Sequence, residues 1–146
     1  MKISALHIED YLNQFKGFLA SSEATDKKGI VYTWKLENSF SRVKGESPII
    51  YIGHTIKTFR DRYNNSKSLS IEKLYFERYY KHMIELHGPL TIEVIETAKP
   101  ERCEWEKLME YNEAHKEYPP LNRSIPNEPN LFPNPSFKRT CLRQAA

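Results

Sequence analysis

The chain has very little cysteine. Its 146 residues include only two cysteines, Cys103 and Cys141, which lie far apart and belong to no Cys-x-x-Cys pair. This spacing predicts neither a disulfide framework nor a zinc site, and it favours a reducing, cytoplasmic setting. The chain also lacks a long apolar run, and its first ten residues already carry Glu9 and Asp10. We therefore expect neither a signal peptide nor a membrane-spanning helix.

Most of the chain also lacks an excess of charge of either sign. Residues 1–122 contain 18 basic and 18 acidic side chains, so the formal net charge of +3 comes entirely from residues 123–146. Net charge therefore gives no argument for nucleic-acid binding. The local distribution gives a weak one, because seven lysines and arginines between His54 and His82 stand against three acids and alternate with tyrosines. Such a patch suits phosphate contacts, although a solvated surface accounts for it equally well.

Hydrophobic periodicity predicts an α/β fold, in which a small three-stranded sheet, antiparallel or mixed, is flanked by helices. Short β-branched and aromatic runs mark the strands, and apolar residues at helical spacing mark an additional N-terminal helix. The polar residues Glu37 to Ser47 are expected to form a long loop between the first two strands. The predicted strands cover about residues 29–36, 48–53 and 90–96. The predicted helices cover about residues 7–20, a short stretch from Thr58, Ile71 to His87 with Ser70 as its cap, and a stretch around Trp105–Glu113.

Composition divides the chain into three parts. Residues 1–28 hold the N-terminal helix and a polar connector, and residues 29–122 hold the predicted domain. Residues 123–146 contain four prolines within ten residues and basic side chains near the end. This composition cannot build a core, so we expect a disordered basic tail.

The most informative motif is Tyr51-Ile52-Gly53, where a short apolar strand ends at a glycine. Thr58 is a suitable N-cap for a helix that carries Arg60 and Arg62. The unpaired N–H groups of a helix N-terminus and a nearby guanidinium both favour phosphate oxygens. A strand end and a helix start can therefore direct Tyr51 and Arg62 at one phosphate. On these residues alone, a solvated arginine beside a core tyrosine is an equally good interpretation.

This stretch resembles the second half of the signature of the GIY-YIG endonuclease family. The run Lys28–Trp34 resembles the first half, with Tyr32 as the signature tyrosine and Ile30 where the family usually has glycine. Tyr32 and Tyr51 are 19 residues apart, a longer separation than in compact members. The segment Pro119-Pro120-Leu121-Asn122 is similar to the one that ends the family's nuclease domain, in which the asparagine ties this segment to the motif strands.

The resemblance implies a metal-dependent endonuclease that hydrolyses DNA phosphodiester bonds. It implies that Glu110, twelve residues before Asn122, is the carboxylate that binds Mg²⁺ or Mn²⁺, with Glu106 as the second choice. Periodicity alone would place both acids on a solvated stripe of their helix, beside a core-facing stripe that includes Trp105 and Leu108.

The resemblance also implies roles for the motif side chains. Arg62 would hold the scissile phosphate, and Tyr32 or Tyr51 would activate water. A phenol can act as a base near neutral pH only if its pKa is lowered or its proton is relayed, and His54, directly after the motif glycine, is the candidate for that help. The other expected substrate contacts are Lys57, Arg60 and Asn122.

Two other classes of function remain open from the sequence. One is a catalytically inactive nucleic-acid-binding module on the same scaffold, which loss of a motif side chain would favour. The other is an unrelated α/β interaction domain, in which the tyrosines are core residues and the arginines are solvated. The motif side chains that the chain retains are Tyr32, Tyr51, Arg62, Glu110 and Asn122.

Overall fold

One antiparallel sheet and six α-helices make up the computed structural model, which describes residues 2–129. The strands are β1 (Lys2–Ile3), β2 (Lys28–Ser41), β3 (Glu46–Thr58) and β4 (Leu90–Glu96). The helices are α1 (Ile8–Leu19), α2 (Ser22–Asp26), α3 (Phe59–Tyr63), α4 (Ser66–Tyr75), α5 (Lys81–His87) and α6 (Pro100–His115). A π-helical turn, Phe76–Tyr80, joins α4 to α5, so the three form one continuous helical run.

The sheet order is β1–β4–β2–β3, and every pair of neighbouring strands is antiparallel. The chain is therefore α/β with an additional N-terminal helix, as expected, but the sheet has four strands rather than three. The additional strand is β1, in which Lys2 pairs with Thr91 and Ile3 with Leu90. Two residues are too few to produce an alternating pattern, so this strand could not be predicted from periodicity.

A long hairpin, β2–β3, replaces the loop that we expected between Glu37 and Ser47. Phe40 pairs with Ser47, and the turn closes where the Arg42 N–H donates to the Gly45 carbonyl at 3.0 Å. The loop prediction was wrong because the outer ends of both strands carry exposed polar side chains, which resemble loop residues in a sequence. The hairpin is therefore a paired and extended ribbon.

One helix cap lies where the sequence predicted it, and another lies at a different residue. The Thr58 hydroxyl accepts the Asp61 N–H at 3.0 Å and thereby caps α3, as predicted. The following helical run starts before the predicted Ser70 cap, because the Asn65 side chain accepts the Ser68 N–H at 2.9 Å. Asparagine and threonine satisfy unpaired N–H groups at helix starts in the same way. The cap at Thr58 is important for the site because it fixes the direction in which α3 leaves β3.

The main core lies between one face of the sheet and the helices α1, α3 and α4, and it is rich in aromatic rings. Neighbouring rings pack in offset and edge-to-face pairs, which add to the stabilisation from burial. Two of the closest pairs are Phe59 with Tyr63, at 4.4 Å between ring centroids, and Tyr11 with Phe76, at 4.7 Å. On the opposite face of the sheet α6 packs against β2 and β3. The aromatic core residues are Tyr11, Phe15, Phe18, Tyr32, Trp34, Phe59, Tyr63, Phe76 and Tyr80.

Gly53 is the one position in the motif where a side chain cannot fit. It lies opposite Tyr32 in the β2–β3 register, and a Cβ atom at this position would stand 2.6–2.8 Å from the Tyr32 ring. The Tyr32 ring cannot move aside, because it is buried and packs edge-on against Phe59 at 5.3 Å. The motif glycine therefore allows the tyrosine of the neighbouring strand to lie flat on the backbone.

Replacing Gly53 by alanine is expected to destabilise the protein by about 1–3 kcal/mol or more, the usual effect of overpacking a filled core. Gly17→Ala is a matched control, because Gly17 lies on the exposed side of α1, where alanine is a better helix former by about 0.5–1 kcal/mol. Urea unfolding of both variants measures the difference. If the two variants are equally stable, the Tyr32 ring can move away from residue 53 without a cost in the free energy of unfolding.

Candidate functional site

A cavity of about 310 Å³ opens at the free edge of β3, between the α3–α4 region and α6. Its walls come from the sheet, from both helical regions and from the segment that follows α6. Because β3 is an edge strand, side chains from distant parts of the chain can meet here. The polar side chains that line it include Tyr51, Arg62, Glu72, Glu104 and Asn122.

The two motif tyrosines lie side by side on the inner face of the hairpin. Their ring centroids are 6.3 Å apart, and only Tyr51 lines the cavity. Burial raises the pKa of the Tyr32 phenol, and hydrogen bonding to Tyr63 and the charge of Arg62 oppose this only in part. Burial also raises the pKa of Tyr51, and the neighbouring Tyr32 and Glu104 raise it further. Both phenols are therefore protonated at neutral pH and can donate a hydrogen bond, which argues against the expected use of either as a base.

Arg62 stands at the mouth of the cavity. It is exposed, and its guanidinium carbon lies 5.2 Å from the centroid of the Tyr63 ring. The Thr58 cap directs α3 so that Arg62 lines the cavity. Arg60 and Lys57 are also exposed, but neither lines it. Of the three basic residues that the sequence suggested for phosphate contacts, the structure brings only Arg62 to the tyrosines.

One of the two acids that line the cavity with Tyr51 and Arg62 is Glu104, in the second turn of α6. Its side chain is 12% exposed, and its Oε2 lies 2.7 Å from His54 Nδ1. The hydrogen bond to Glu104 raises the pKa of His54, and partial burial opposes this. The position of His54 directly after Gly53 had suggested that it would assist a tyrosine. In the structure His54 instead contacts an acid of the site, Glu104.

Neither of the two acids chosen from the sequence lines this cavity. Glu110 is exposed, and at about 100° per residue its side chain points about 120° away from that of Glu104 around α6. Glu106 is buried and pairs with Arg102, whose Nε lies 3.2 Å from Glu106 Oε1. The predicted stripes are confirmed at Leu108, which is buried, and at Glu110, which is exposed, but they were wrong at Glu106, which was expected on a solvated face. Glu104 therefore replaces Glu110 as the candidate metal ligand.

One signal in the sequence could have identified Glu104. Pro100 is favoured at the first position of a helix and predicts a start for α6 five residues earlier than Trp105. From that start, Glu104, Leu108 and Tyr111 follow the i, i+4, i+7 spacing of a core-facing stripe, and all three are buried. An acid on a core-facing stripe is a candidate for a functional group.

Asn122 holds the segment after α6 against the edge of β3. Its Oδ1 accepts the Ile52 N–H at 3.0 Å, and its Nδ2 donates to the Ile52 carbonyl at 2.8 Å. The Leu121 N–H adds a bond to the Ile50 carbonyl at 3.0 Å. These bonds satisfy the free edge of β3 and close one wall of the cavity. Asn122 therefore ties this segment to the motif strand, as the resemblance implied, and its contact with substrate stays a prediction.

The first residues of the predicted tail pack onto the domain. Arg123 donates to the Tyr79 hydroxyl, and its guanidinium carbon lies 5.2 Å from the centroid of that ring. Glu128 pairs with Arg102 at 3.1 Å. The expectation of a disordered tail therefore does not describe residues 123–129. The basic residues Lys138, Arg139 and Arg143, and also Cys141, lie outside the described residues.

A second carboxylate, Glu72 of α4, lines the buried part of the cavity. It is 4% exposed, and its Oε2 accepts the Tyr11 hydroxyl at 3.3 Å. Burial raises the pKa of this carboxyl to about 7, although hydrogen bonds from Tyr11 and Tyr80 oppose the shift. Sequence reasoning missed this glutamate, because an acid on a helix is usually solvated.

The stability of the protein is expected to decrease as the pH rises from about 4.5 to about 7 because of Glu72. Its folded-state pKa is raised above the ordinary 4.5, so the folded state binds the proton more tightly than the unfolded state. The contribution of this proton to the free energy of unfolding is complete below pH 4.5 and is lost by about pH 7. It amounts to roughly 3 kcal/mol. Urea unfolding across this range should show the loss in the wild type but not in Glu72→Gln. Glu77→Gln, at an exposed acid of the same helical run, should behave as the wild type does.

The described residues contain no group of three or more histidine, cysteine or acidic side chains that could hold a metal ion. Glu104 is a single carboxylate whose Oε1 has no described contact, beside an arginine and a tyrosine that can contact phosphate. This set does not suit zinc, which takes three or four protein ligands. It suits Mg²⁺, which is usually bound through one or two carboxylates, water and substrate phosphate.

No protein-family model matches the chain, and neither a curated protein nor a solved structure matches it. The resemblance to the GIY-YIG signature is therefore one of short motifs. It depends on Tyr32, on Tyr51-Ile52-Gly53, on Arg62 and on Asn122. Among residues 2–129, no helix combines the length and the apolar character that crossing a bilayer requires.

Proposed function

We propose that this protein is a metal-dependent endonuclease that hydrolyses DNA phosphodiester bonds, with a GIY-YIG-like fold and a cytoplasmic setting. The observation that supports the proposal is the meeting of Tyr51, Arg62 and Glu104 in one cavity. They come from β3, α3 and α6, and 53 residues separate the first from the last. A cation, a hydrogen-bond donor and a carboxylate in one concave site are what a phosphodiester and a divalent ion require.

Glu104 is the residue that would hold Mg²⁺ or Mn²⁺. His54 Nδ1 contacts Oε2, which fixes the orientation of the carboxylate and leaves Oε1 for the ion. Outer contacts of this kind commonly set the position and the basicity of a metal ligand. When bound, the ion would stabilise charge on the phosphate and increase the acidity of a bound water.

Arg62 would bind the scissile phosphate through two parallel N–H···O contacts, the geometry that a guanidinium offers to phosphate oxygens. Its exposure at the mouth of the cavity leaves it open to a backbone as large as that of DNA. Tyr51 would donate its phenolic proton to the same phosphate, since the phenol is protonated at neutral pH. Tyr32 has a supporting role, because it is buried behind Tyr51 and holds Arg62 and Tyr63 in place.

Incubation with supercoiled plasmid DNA in Mg²⁺ or Mn²⁺, with EDTA as the control, tests the proposal. Metal-dependent nicking or linearisation is the expected result. Binding to the plasmid without cleavage in any metal would instead favour the inactive nucleic-acid-binding module. Neither binding nor cleavage would favour an interaction domain that has no nucleic-acid substrate.

A further inference from the structure

A second guanidinium stands with Arg62 at the mouth of the cavity. Arg123, in the segment that follows α6, also lines the cavity, and both side chains are exposed. The carboxylates that line it with them are less accessible, because Glu72 is 4% exposed and the Glu104 side chain 12%. A polyanion that approaches the mouth therefore meets two cations before it meets an acid.

Both guanidiniums are supported by aromatic rings and not by acids. Among residues 2–129, neither Arg62 nor Arg123 forms an ion pair. The guanidinium carbon of Arg62 lies 5.2 Å from the centroid of the Tyr63 ring, and that of Arg123 lies 5.2 Å from the centroid of the Tyr79 ring. Arg123 also donates one of its five N–H groups to the Tyr79 hydroxyl. A ring holds a guanidinium by its face and leaves N–H groups at the edge for an anion.

The main chain before Arg123 is fixed to the strand that carries Tyr51. The Asn122 amide exchanges two hydrogen bonds with Ile52, and the residue before it donates to the Ile50 carbonyl at 3.0 Å. These bonds lie on either side of Tyr51 along β3. Arg123 is therefore held close to the site by a segment that has little freedom, and a cation that is already in place binds an anion at a lower entropic cost.

The size of the cavity limits which phosphates can use the two arginines. Its volume of about 310 Å³, mouth included, is at the lower end of the ~300–1,000 Å³ range of small-molecule sites. The site is therefore too small to take both strands of a duplex. Because the two guanidiniums have the same charge and lie over different rings, they hold separate positions. Two phosphates that bind there must be neighbours on one strand.

We propose that Arg123 binds the phosphate next to the scissile one on the same DNA strand, while Arg62 binds the scissile phosphate. The inference rests on the proposed function, from which the role of Arg62 comes. The two contacts fix the direction of the strand at Tyr51 and Glu104, and they make recognition depend on successive phosphates, which carry no base sequence. Tyr79 is a positioning residue, because it holds Arg123 in place.

Two small nucleotides test this assignment without any cleavage. Thymidine 3′,5′-bisphosphate carries two successive phosphates, whereas thymidine 5′-monophosphate carries one. By isothermal titration calorimetry, the full-length protein should bind the bisphosphate about tenfold more tightly, the usual effect of one further hydrogen bond to a charged group. Arg123→Gln should bind the two nucleotides alike. A bisphosphate preference that persists in Arg123→Gln, or that the wild type lacks, would overturn the proposal.

The salt dependence of DNA binding is the second measurement, and it decides if neither nucleotide binds. The slope of the logarithm of the binding constant against that of the salt concentration reports the number of phosphates that the protein neutralises. In fluorescence anisotropy with labelled DNA in Ca²⁺, Arg123→Gln should make this slope shallower by about one. Arg123→Lys should keep the wild-type slope, because it keeps the charge. An unchanged slope in Arg123→Gln would overturn the proposal.

Lys16→Gln is the matched control for both measurements. It removes one exposed cation from α1, outside the cavity, and should keep the wild-type slope and the preference for the bisphosphate. Equal effects of Lys16→Gln and Arg123→Gln would show that only the total charge matters and would overturn the proposal. Circular dichroism should show both variants folded, since both side chains are exposed.

The Arg123 contact and the endonuclease can fail separately. Phosphate binding that depends on Arg123, in a protein that cuts no DNA, would sustain the contact and refute the nuclease. Cleavage of plasmid by a protein in which Arg123→Gln changes neither the slope nor the nucleotide preference would sustain the nuclease and refute the contact.

Discussion

Replacing Glu104 by glutamine is expected to lower metal-dependent DNA cleavage by at least about 10²-fold, because the substitution removes the carboxylate that is proposed to hold the ion in the cavity with Tyr51 and Arg62. The side chain keeps its size, so the packing of α6 should be retained. Loss of the 2.7 Å contact with His54 should cost some stability, which thermal unfolding will measure. Mn²⁺ binding, followed by electron paramagnetic resonance, should weaken in parallel with the cleavage rate.

Glu110→Gln is the matched control, since it changes an acid of the same helix that is exposed and far from the cavity. It should cut DNA at the wild-type rate and bind Mn²⁺ as the wild type does. The opposite pattern, with Glu110→Gln inactive and Glu104→Gln active, would restore the assignment made from the sequence spacing. Glu106→Gln should lose stability more than activity, because Glu106 is buried in an ion pair with Arg102.

The choice between these acids shows what a motif spacing can and cannot predict. Counting twelve residues back from Asn122 assumes that the helix and the loop after it have the lengths found in relatives. Here α6 ends at His115, and residues 116–121 then lead to the edge of β3, where the Asn122 amide binds Ile52. The depth of a side chain along a helix and its direction around the axis both depend on these lengths, so a count along the sequence could not show that Glu104, and not Glu110, lines the cavity.

The elements themselves were easier to predict than their contacts. The alternation of Leu90, Ile92 and Val94 identified β4, and the Thr58 cap identified α3, because each signal is local to a few residues. The burial of Glu72 and the unpaired Trp34 indole depend on how α1, α4 and the sheet pack together. Glu72 meets Tyr11 from 61 positions away, and Trp34 packs against Tyr80 from 46 positions away, so no local pattern records these contacts.

Arg62→Ala is expected to lower the cleavage rate by about 10²-fold or more while changing DNA affinity far less. The guanidinium would contact the reacting phosphate, and a preorganised group at that position acts mainly on the transition state. Arg62→Lys should recover only part of the rate, because an ammonium keeps the charge but cannot make two parallel bonds. Arg60→Ala is the control, since Arg60 is exposed on the same helix and does not line the cavity.

Single-turnover cleavage in Mg²⁺ and fluorescence anisotropy of labelled DNA in Ca²⁺ separate the two effects of Arg62→Ala. Folding is not expected to obscure them, because the Arg62 side chain is exposed and the aromatic core beneath it does not depend on its charge. Equal losses in rate and affinity would make Arg62 a residue that only positions DNA. In that case the phosphate would be activated by Tyr51 and the ion at Glu104, and Tyr51→Phe would become the more damaging change.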